Sequence, residues 1–175
     1  AGSVFPGRPT ATADPGYLTD GWYDGDTKVV KFPETVTESK TYVLKCVKDP
    51  SQWFTVRYNT DGNGTIDGQK EPVEKTDILR GSIFPAQPIV AADHGYQFDG
   101  WYEGSTKVNT FPEKVTENKE YTARFVKDES KWFTITFRTE EHGKINGGKT
   151  DIEHTEILAG SVFPGRPTAT ADPGY

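Results

Sequence analysis

The strongest constraint on this chain is a motif that comes back. Gly95-Tyr96-Gln97-Phe98-Asp99-Gly100-Trp101-Tyr102 is met earlier as Gly16-Tyr17-Leu18-Thr19-Asp20-Gly21-Trp22-Tyr23, and it begins again at Gly174-Tyr175. Its tyrosine falls every 79 residues, and an aromatic landmark at constant spacing marks a small folded unit copied along a chain. The register holds elsewhere. Ser3-Val4-Phe5-Pro6 returns as Ser82-Ile83-Phe84-Pro85 and as Ser161-Val162-Phe163-Pro164, while Phe32-Pro33-Glu34 returns as Phe111-Pro112-Glu113. Ala159–Tyr175 repeats Ala1–Tyr17 letter for letter, which suggests that two unlike modules, 158 residues together, are the larger unit of a longer array.

The same register divides the chain into residues 1–49, the C-terminal half of a module, residues 50–128, a complete module, and residues 129–175, the N-terminal half of a further one. A module of about 80 residues is small for independent folding but sufficient. Eighteen Gly, twelve Pro and 13% aromatic residues favour short strands and many turns, and a hydrophobic content of 33% leaves a thin core that large rings must fill. The expected class is mainly β, α+β at most: tandem small modules of period 79 in an extended array. Residues 1–49 lack an opening hairpin, and residues 133–175 lack central and closing strands. Such sheets have unpaired edges, and they are expected either to complete one another head to tail between molecules or to continue in a longer chain.

Alternation of apolar and polar residues places strands within the complete module. Phe54, Val56 and Tyr58 face one way on the first; Asp61-Gly62-Asn63-Gly64 turns the chain and Thr65-Ile66-Asp67 starts a return strand of a hairpin. Tyr121, Ala123 and Phe125 face the core on the last, as do Phe133, Ile135 and Phe137 in the next module. Thr76–Ser82 fits either a helical turn ended by Gly81 or another strand. The facing of Trp101 is open, because Tyr96, Phe98 and Tyr102 share one phase while Leu18 and Trp22 share the other; a bulge near Gly100 and Gly21 reconciles the two. Cys46 stands where the sister module carries Phe125, so it is expected to be a small buried apolar group. The connectors at residues 47–53 and 126–132 are short, and each ends in a tryptophan. Trp53 and Trp132 are therefore the expected inter-module packing residues of a semi-rigid string.

The first strand Phe-Thr-Val-Arg-Tyr, the Gly-rich turn, the Gly-Tyr-x-Phe-x-Gly-Trp-Tyr motif of Gly95–Tyr102 and the closing Tyr121-Thr122-Ala123-Arg124-Phe125 together resemble the Listeria/Bacteroides repeat, also called the internalin B-repeat. The resemblance covers the whole of residues 50–128 and both halves beside it. It implies a β-grasp-like fold of one mixed sheet, set in tandem in bacterial cell-surface proteins as stalk or adhesive segments, and it brings no catalytic residues. Leu18-Thr19 departs from the motif, so packing there should differ.

The chemistry agrees with a non-enzymatic reading. A net charge of −6 opposes nucleic-acid binding, and no apolar run is long enough to insert in a membrane as a helix. Asn59, Asp61, Asn63 and Asp67 imitate the opening of an EF-hand calcium loop, but position 12 holds Lys70 instead of a bidentate Glu, and the next module has Arg138 at position 1. These residues are read as a turn, with no metal or cofactor expected. His94, His142 and His154 lie in expected loops without metal-ligand spacing. Lys28 and Lys107 sit in a turn outside any apolar strand phase, which opposes an isopeptide cross-link. Trp22, Tyr23, Trp101 and Tyr102 are either core rings or a sugar-stacking surface. The expected function is a spacer in an extracellular bacterial wall or surface protein, its partners being neighbouring modules of the same or another copy. The alternative is an adhesive module for a host protein or glycan.

Overall fold

A computed structural model describes residues 2–175. Its strands in chain order are β1 (Ser3–Val4), β2 (Tyr17–Asp24), β3 (Thr27–Lys28), β4 (Thr35–Val36), β5 (Tyr42–Lys48), β6 (Trp53–Thr60), β7 (Gly64–Ile66) and β8 (Val73–Leu79). They continue as β9 (Val90–Ala92), β10 (Tyr96–Glu103), β11 (Thr106–Lys107), β12 (Lys119–Lys127), β13 (Trp132–Arg138), β14 (Gly143–Ile145), β15 (Asp151–Leu158) and β16 (Ala169–Ala171). Among the described residues the only helical elements are two 3-10 turns, Pro50–Gln52 and Glu129–Lys131. The protein is mainly β, as its Gly, Pro and aromatic content led one to expect, and Thr76–Leu79 belongs to a strand rather than a helical turn.

The largest sheet has the order β11-β10-β12-β6-β8. β10 runs antiparallel to both β11 and β12. Along β6 and β12, Thr55 N–H donates to Asn118 Oδ1 and Asp61 N–H to the Ala123 carbonyl, so these neighbours ascend together and the sheet is mixed. β2 lies between β3 and β5 in a smaller sheet, and β13 pairs antiparallel with β15. The expected hairpin return at residues 65–67 is corrected here: β7 pairs with β9, and β8 is the neighbour of β6. Gly64 allows this path, since a Cβ there would stand 2.3 Å from the Phe125 ring and 2.6 Å from the Ala91 carbonyl oxygen.

The chain forms two compact units: Ala1–Arg57 with Glu74–Ala86 and Thr110–Glu120, and Tyr58–Val73 with Gln87–Asn109 and Tyr121–Tyr175. Rings fill the first, where Phe32 lies 4.9 Å from Tyr42 and 5.4 Å from Phe5, and where Val56 and Val115 are buried. In the second, the fully buried Tyr58 meets Trp101 edge-on at 5.2 Å and stacks on Tyr121 at 5.9 Å. Each such ring pair adds ~0.5–1.5 kcal/mol beyond area burial. Burial, with Tyr121 adding a smaller effect, pushes the Tyr58 phenol up to about 12.

Bulges decide which face the motif tryptophans take. The β2–β5 register shifts between Thr19 and Gly21, and the β10–β12 register between Phe98 and Gly100, as the conflicting phases required. The extra residue turns Trp101 inward onto Tyr58. Two core expectations are corrected. Phe133 is half exposed, because the register of β13 slips between it and Ile135. Cys46 is exposed: β5 is the edge of its sheet, whereas Phe125 at the equivalent place lies under the backbone of Gly64.

Candidate functional site

Two connector junctions are built from the same parts. In the first unit, Asp49 begins the 3-10 turn, its carboxylate accepting from Ser51 N–H at 3.0 Å and Ser51 Oγ–H at 2.7 Å. That turn delivers Trp53, whose indole N–H donates to the Gly16 carbonyl at 2.8 Å; the Asp49 amide donates to the same oxygen at 2.8 Å. Tyr17 meets the indole edge-on at 5.8 Å, and the Lys48 ammonium lies 4.4 Å from the ring centroid while pairing with Asp77. The Arg80 amide donates to the Gln52 carbonyl at 2.7 Å, so the turn is tied to the end of β8.

The second unit holds the same arrangement 79 residues on. Trp132 donates to the Gly95 carbonyl at 2.8 Å and the Asp128 amide does so at 2.9 Å; Tyr96 stands 5.9 Å from the indole, and Lys127 lies 4.7 Å from its centroid. Lys127 pairs with Glu156 at 2.5 Å, a bond that holds the ammonium above its ordinary pKa. Hydrogen bonds from Ser130 hold the Asp128 carboxyl below the usual value. Asp77 and Glu156 have φ of 56° and 58°, and this left-handed kink in β8 and β15 occurs where each acid meets its lysine.

Glycine is required at both receptors. Gly16 and Gly95 are buried at φ of 85° and 87°, and a Cβ would come 2.6 Å from Leu79 Cδ1 or 2.4 Å from Leu158 Cδ1. The sequence pointed to Trp53 and Trp132 but missed their receptors. The glycine, the Lys-Asp pair of the connector and the acids at 77 and 156 all recur at the repeat spacing, and that recurrence was the available signal.

A second recurring arrangement lies at the bulges. Asp99 accepts from the Tyr102 hydroxyl at 2.5 Å and from Lys107 Nζ at 3.0 Å; Asp20 accepts from Tyr23 at 2.5 Å and Lys28 at 2.9 Å. The tyrosine bond first, then the lysine bond, holds each carboxyl below its ordinary value, and each tyrosine is raised chiefly by its aspartate. Lys107 and Lys28 are thus partners in open ion pairs. The Tyr102 face is covered by the Arg124 guanidinium at 4.3 Å and the Tyr23 face by Lys45 at 4.3 Å. Trp101 is buried and Trp22 half-buried.

The calcium-like loop satisfies itself. Asp61 accepts from Asn63 N–H at 2.9 Å and Phe125 N–H at 2.8 Å, and Asp67 accepts from Ile89 N–H at 2.8 Å, while Asn59 lies within β6. Lys70 brings its own cation, donating to the Gly62 carbonyl at 2.8 Å and to Asp93 at 2.6 Å. Among the described residues no group of three or more His, Cys, Asp or Glu is placed to hold a metal, and no helix is long and apolar enough to cross a membrane. His94 Nε2 lies 3.0 Å from the Ala159 carbonyl, His154 packs edge-on to Phe137, and His142 stacks on Tyr175 at 3.9 Å.

A β-rich chain that builds one tryptophan junction twice from equivalent residues has the character of a repeat protein. Residues 54–129 match the family described as the divergent InlB B-repeat domain. This family is typical of bacterial surface proteins, and such a domain fits a repeat module of one. No curated protein and no solved structure shows significant similarity to the chain.

Proposed function

We propose that the chain is a non-enzymatic structural repeat of a bacterial extracellular surface protein, in which tandem β-grasp-like modules of period 79 serve as a spacer. The observation that carries this reading is the duplicated junction: an indole N–H and a backbone N–H converging on one glycine carbonyl, under a lysine, in both places. Two hydrogen bonds on one buried acceptor, with no room for a Cβ, resist rotation of the connector. A stalk needs that stiffness and a flexible tether does not. The cation-covered tyrosines support the spacer over the adhesive alternative, since a sugar needs an open ring face.

Spin labels at Ser105→Cys and Lys149→Cys, in a Cys46→Ser background, test it. A narrow distance distribution that broadens in Trp132→Ala is expected. A broad distribution in the unaltered junction would overturn the spacer reading. Glycan and host-protein arrays should return no saturable ligand; one lost on Trp22→Ala or Tyr23→Ala would establish the adhesive function instead.

A further inference from the structure

The chain holds two Asn-Gly pairs, Asn63-Gly64 and Asn146-Gly147, and the fold treats them in opposite ways. When glycine follows asparagine, no Cβ hinders the next backbone nitrogen from reaching the side-chain Cγ. The first pair is closed to that approach. Asn63 is half-buried, and Gly64 is buried opposite Ala92 in the β7–β9 ladder, with the Phe125 ring 2.3 Å from where a Cβ would stand. The second pair is open. Asn146 and Gly147 are exposed, a Cβ built on Gly147 or Gly148 would meet nothing within 4 Å, and the Gly147 N–H has no hydrogen-bond acceptor among the described residues.

Asn146 is also held in a particular way. Its backbone is left-handed at φ 44°, its N–H donates to the Thr168 carbonyl at 2.9 Å, and its Oδ1 accepts from Thr168 N–H at 3.0 Å and Thr168 Oγ–H at 3.2 Å. Oδ1 is the atom that gathers negative charge when a nucleophile adds to Cγ, and two donors already aimed at it stabilise that charge. The residue 79 positions earlier is an acid in the same setting. Asp67 has φ 48°, donates its N–H to the Ile89 carbonyl at 2.8 Å and accepts from Ile89 N–H at 2.8 Å. This turn therefore accommodates a carboxylate with its bonds intact, and the hydroxyl donor occurs where the residue is an amide.

We propose that Asn146 is a self-modification site, at which the chain converts its own amide to an acid with water as the only co-reactant. The Gly147 nitrogen gives up its proton and bonds to Asn146 Cγ, while the carbonyl electron pair moves onto Oδ1 between the two Thr168 donors. The pair returns as the Cγ–Nδ2 bond breaks, and ammonia leaves carrying the proton. Water then opens the resulting succinimide at either carbonyl, giving aspartate or isoaspartate. Nothing is oxidised or reduced. The aspartate product takes the form already present at Asp67 and adds a negative charge between Lys144 and Lys149 to a chain that carries −6. The site goes beyond the spacer reading and does not depend on it.

The test is to hold the full chain at mildly alkaline pH and map its peptides by mass spectrometry. The peptide bearing Asn146 should show the amide-to-acid mass change, with isotope-labelled water supplying the new oxygen, at a rate no lower than in guanidinium-unfolded chain. The Asn63 peptide should convert only when unfolded. Slower conversion of Asn146 in the folded chain than in the unfolded one would overturn the proposal, because the fold would then protect the amide. Thr168→Val keeps the backbone donor and removes the hydroxyl, so it should slow the folded reaction several-fold and leave the unfolded rate unchanged; an unchanged folded rate overturns the assignment of Thr168. Should that variant disturb the turn, Thr168→Ser decides: it retains both donors and should retain the rate, and a slowed reaction there counts against the hydroxyl. Asn146→Asp should melt with the unaltered chain, and a marked loss of melting temperature would mean that the turn does not accept the product.

Discussion

Gly2–Tyr17 and Gly160–Tyr175 are the same sixteen residues, and they do not have the same structure. In the first copy Ser3–Val4 forms β1 against Thr35–Val36, and residues 11–13 form no strand. In the second copy the reverse holds: Ala169–Ala171 forms β16 against Gly143–Ile145, and residues 161–162 form none. Tyr17 packs edge-on to Trp53, whereas the identical Tyr175 stacks on His142. Each copy makes the ladder whose partner is at hand. Strand formation here is a property of the pair, because a lone strand gains neither ladder hydrogen bonds nor a buried face to offset its backbone entropy.

The same contrast runs through the cores and can be pressed hardest at the motif tryptophans. Trp101→Ala should cost ~3–5 kcal/mol in chemical denaturation, and Trp22→Ala much less, because only Trp101 is enclosed by a Tyr58. Equal losses would mean that Trp22 is as well enclosed as Trp101. Tyr58 offers a pH test of that enclosure. Its folded pKa lies above its unfolded one, so its stabilising effect is whole below pH 10.0 and is lost as pH rises toward about 12. Phenolate absorbance and loss of fold should appear together in that window.

The junctions should break the contrast instead of extending it, since both are fully built. Gly16→Ala and Gly95→Ala are each expected to destabilise by about 2–4 kcal/mol, from the left-handed backbone and the crowding at Leu79 or Leu158. Amide exchange around the two tryptophans would report any inequality. Smaller still, Thr170→Pro should remove about 1 kcal/mol of ladder from β16, while Thr12→Pro, in the identical segment without a strand, should be silent by melting temperature. The least effect is expected from Tyr102→Phe. Asp99 is held below its ordinary 3.8 mainly by that hydroxyl, so the stabilisation is present above this value and fades as pH falls through the lowered one. Carbon NMR titration of Asp99 should show its pKa move back up, and Tyr23→Phe should do the same at Asp20.

Much of residues 50–128 was legible because alternation reports burial directly: Tyr121, Ala123 and Phe125 proved as enclosed as their phase required. The conflict between Trp22 and Tyr96 phases even located the bulges at Gly21 and Gly100. The partner of β7 was not legible, because a Gly-rich turn suits a hairpin and a diverging strand equally, and only the fit of Phe125 beside Gly64 separates them. Cys46 was misread for a related reason. Its alternation is that of a core strand, but the strand that would cover it is not beside it in this structure. The receptors Gly16 and Gly95 escaped notice because glycine carries no side chain whose chemistry advertises a bond; the role belongs to its carbonyl.

The sequence by itself determined the spacing of 79, the β character and the tryptophan of each connector, since periodicity and residue type are properties of the chain read locally. The tertiary structure alone decided which copy of a repeated segment becomes a strand, which tryptophan is buried and where each indole N–H finds its acceptor. These depend on groups far apart in sequence arriving together, and identical residues receive different neighbours.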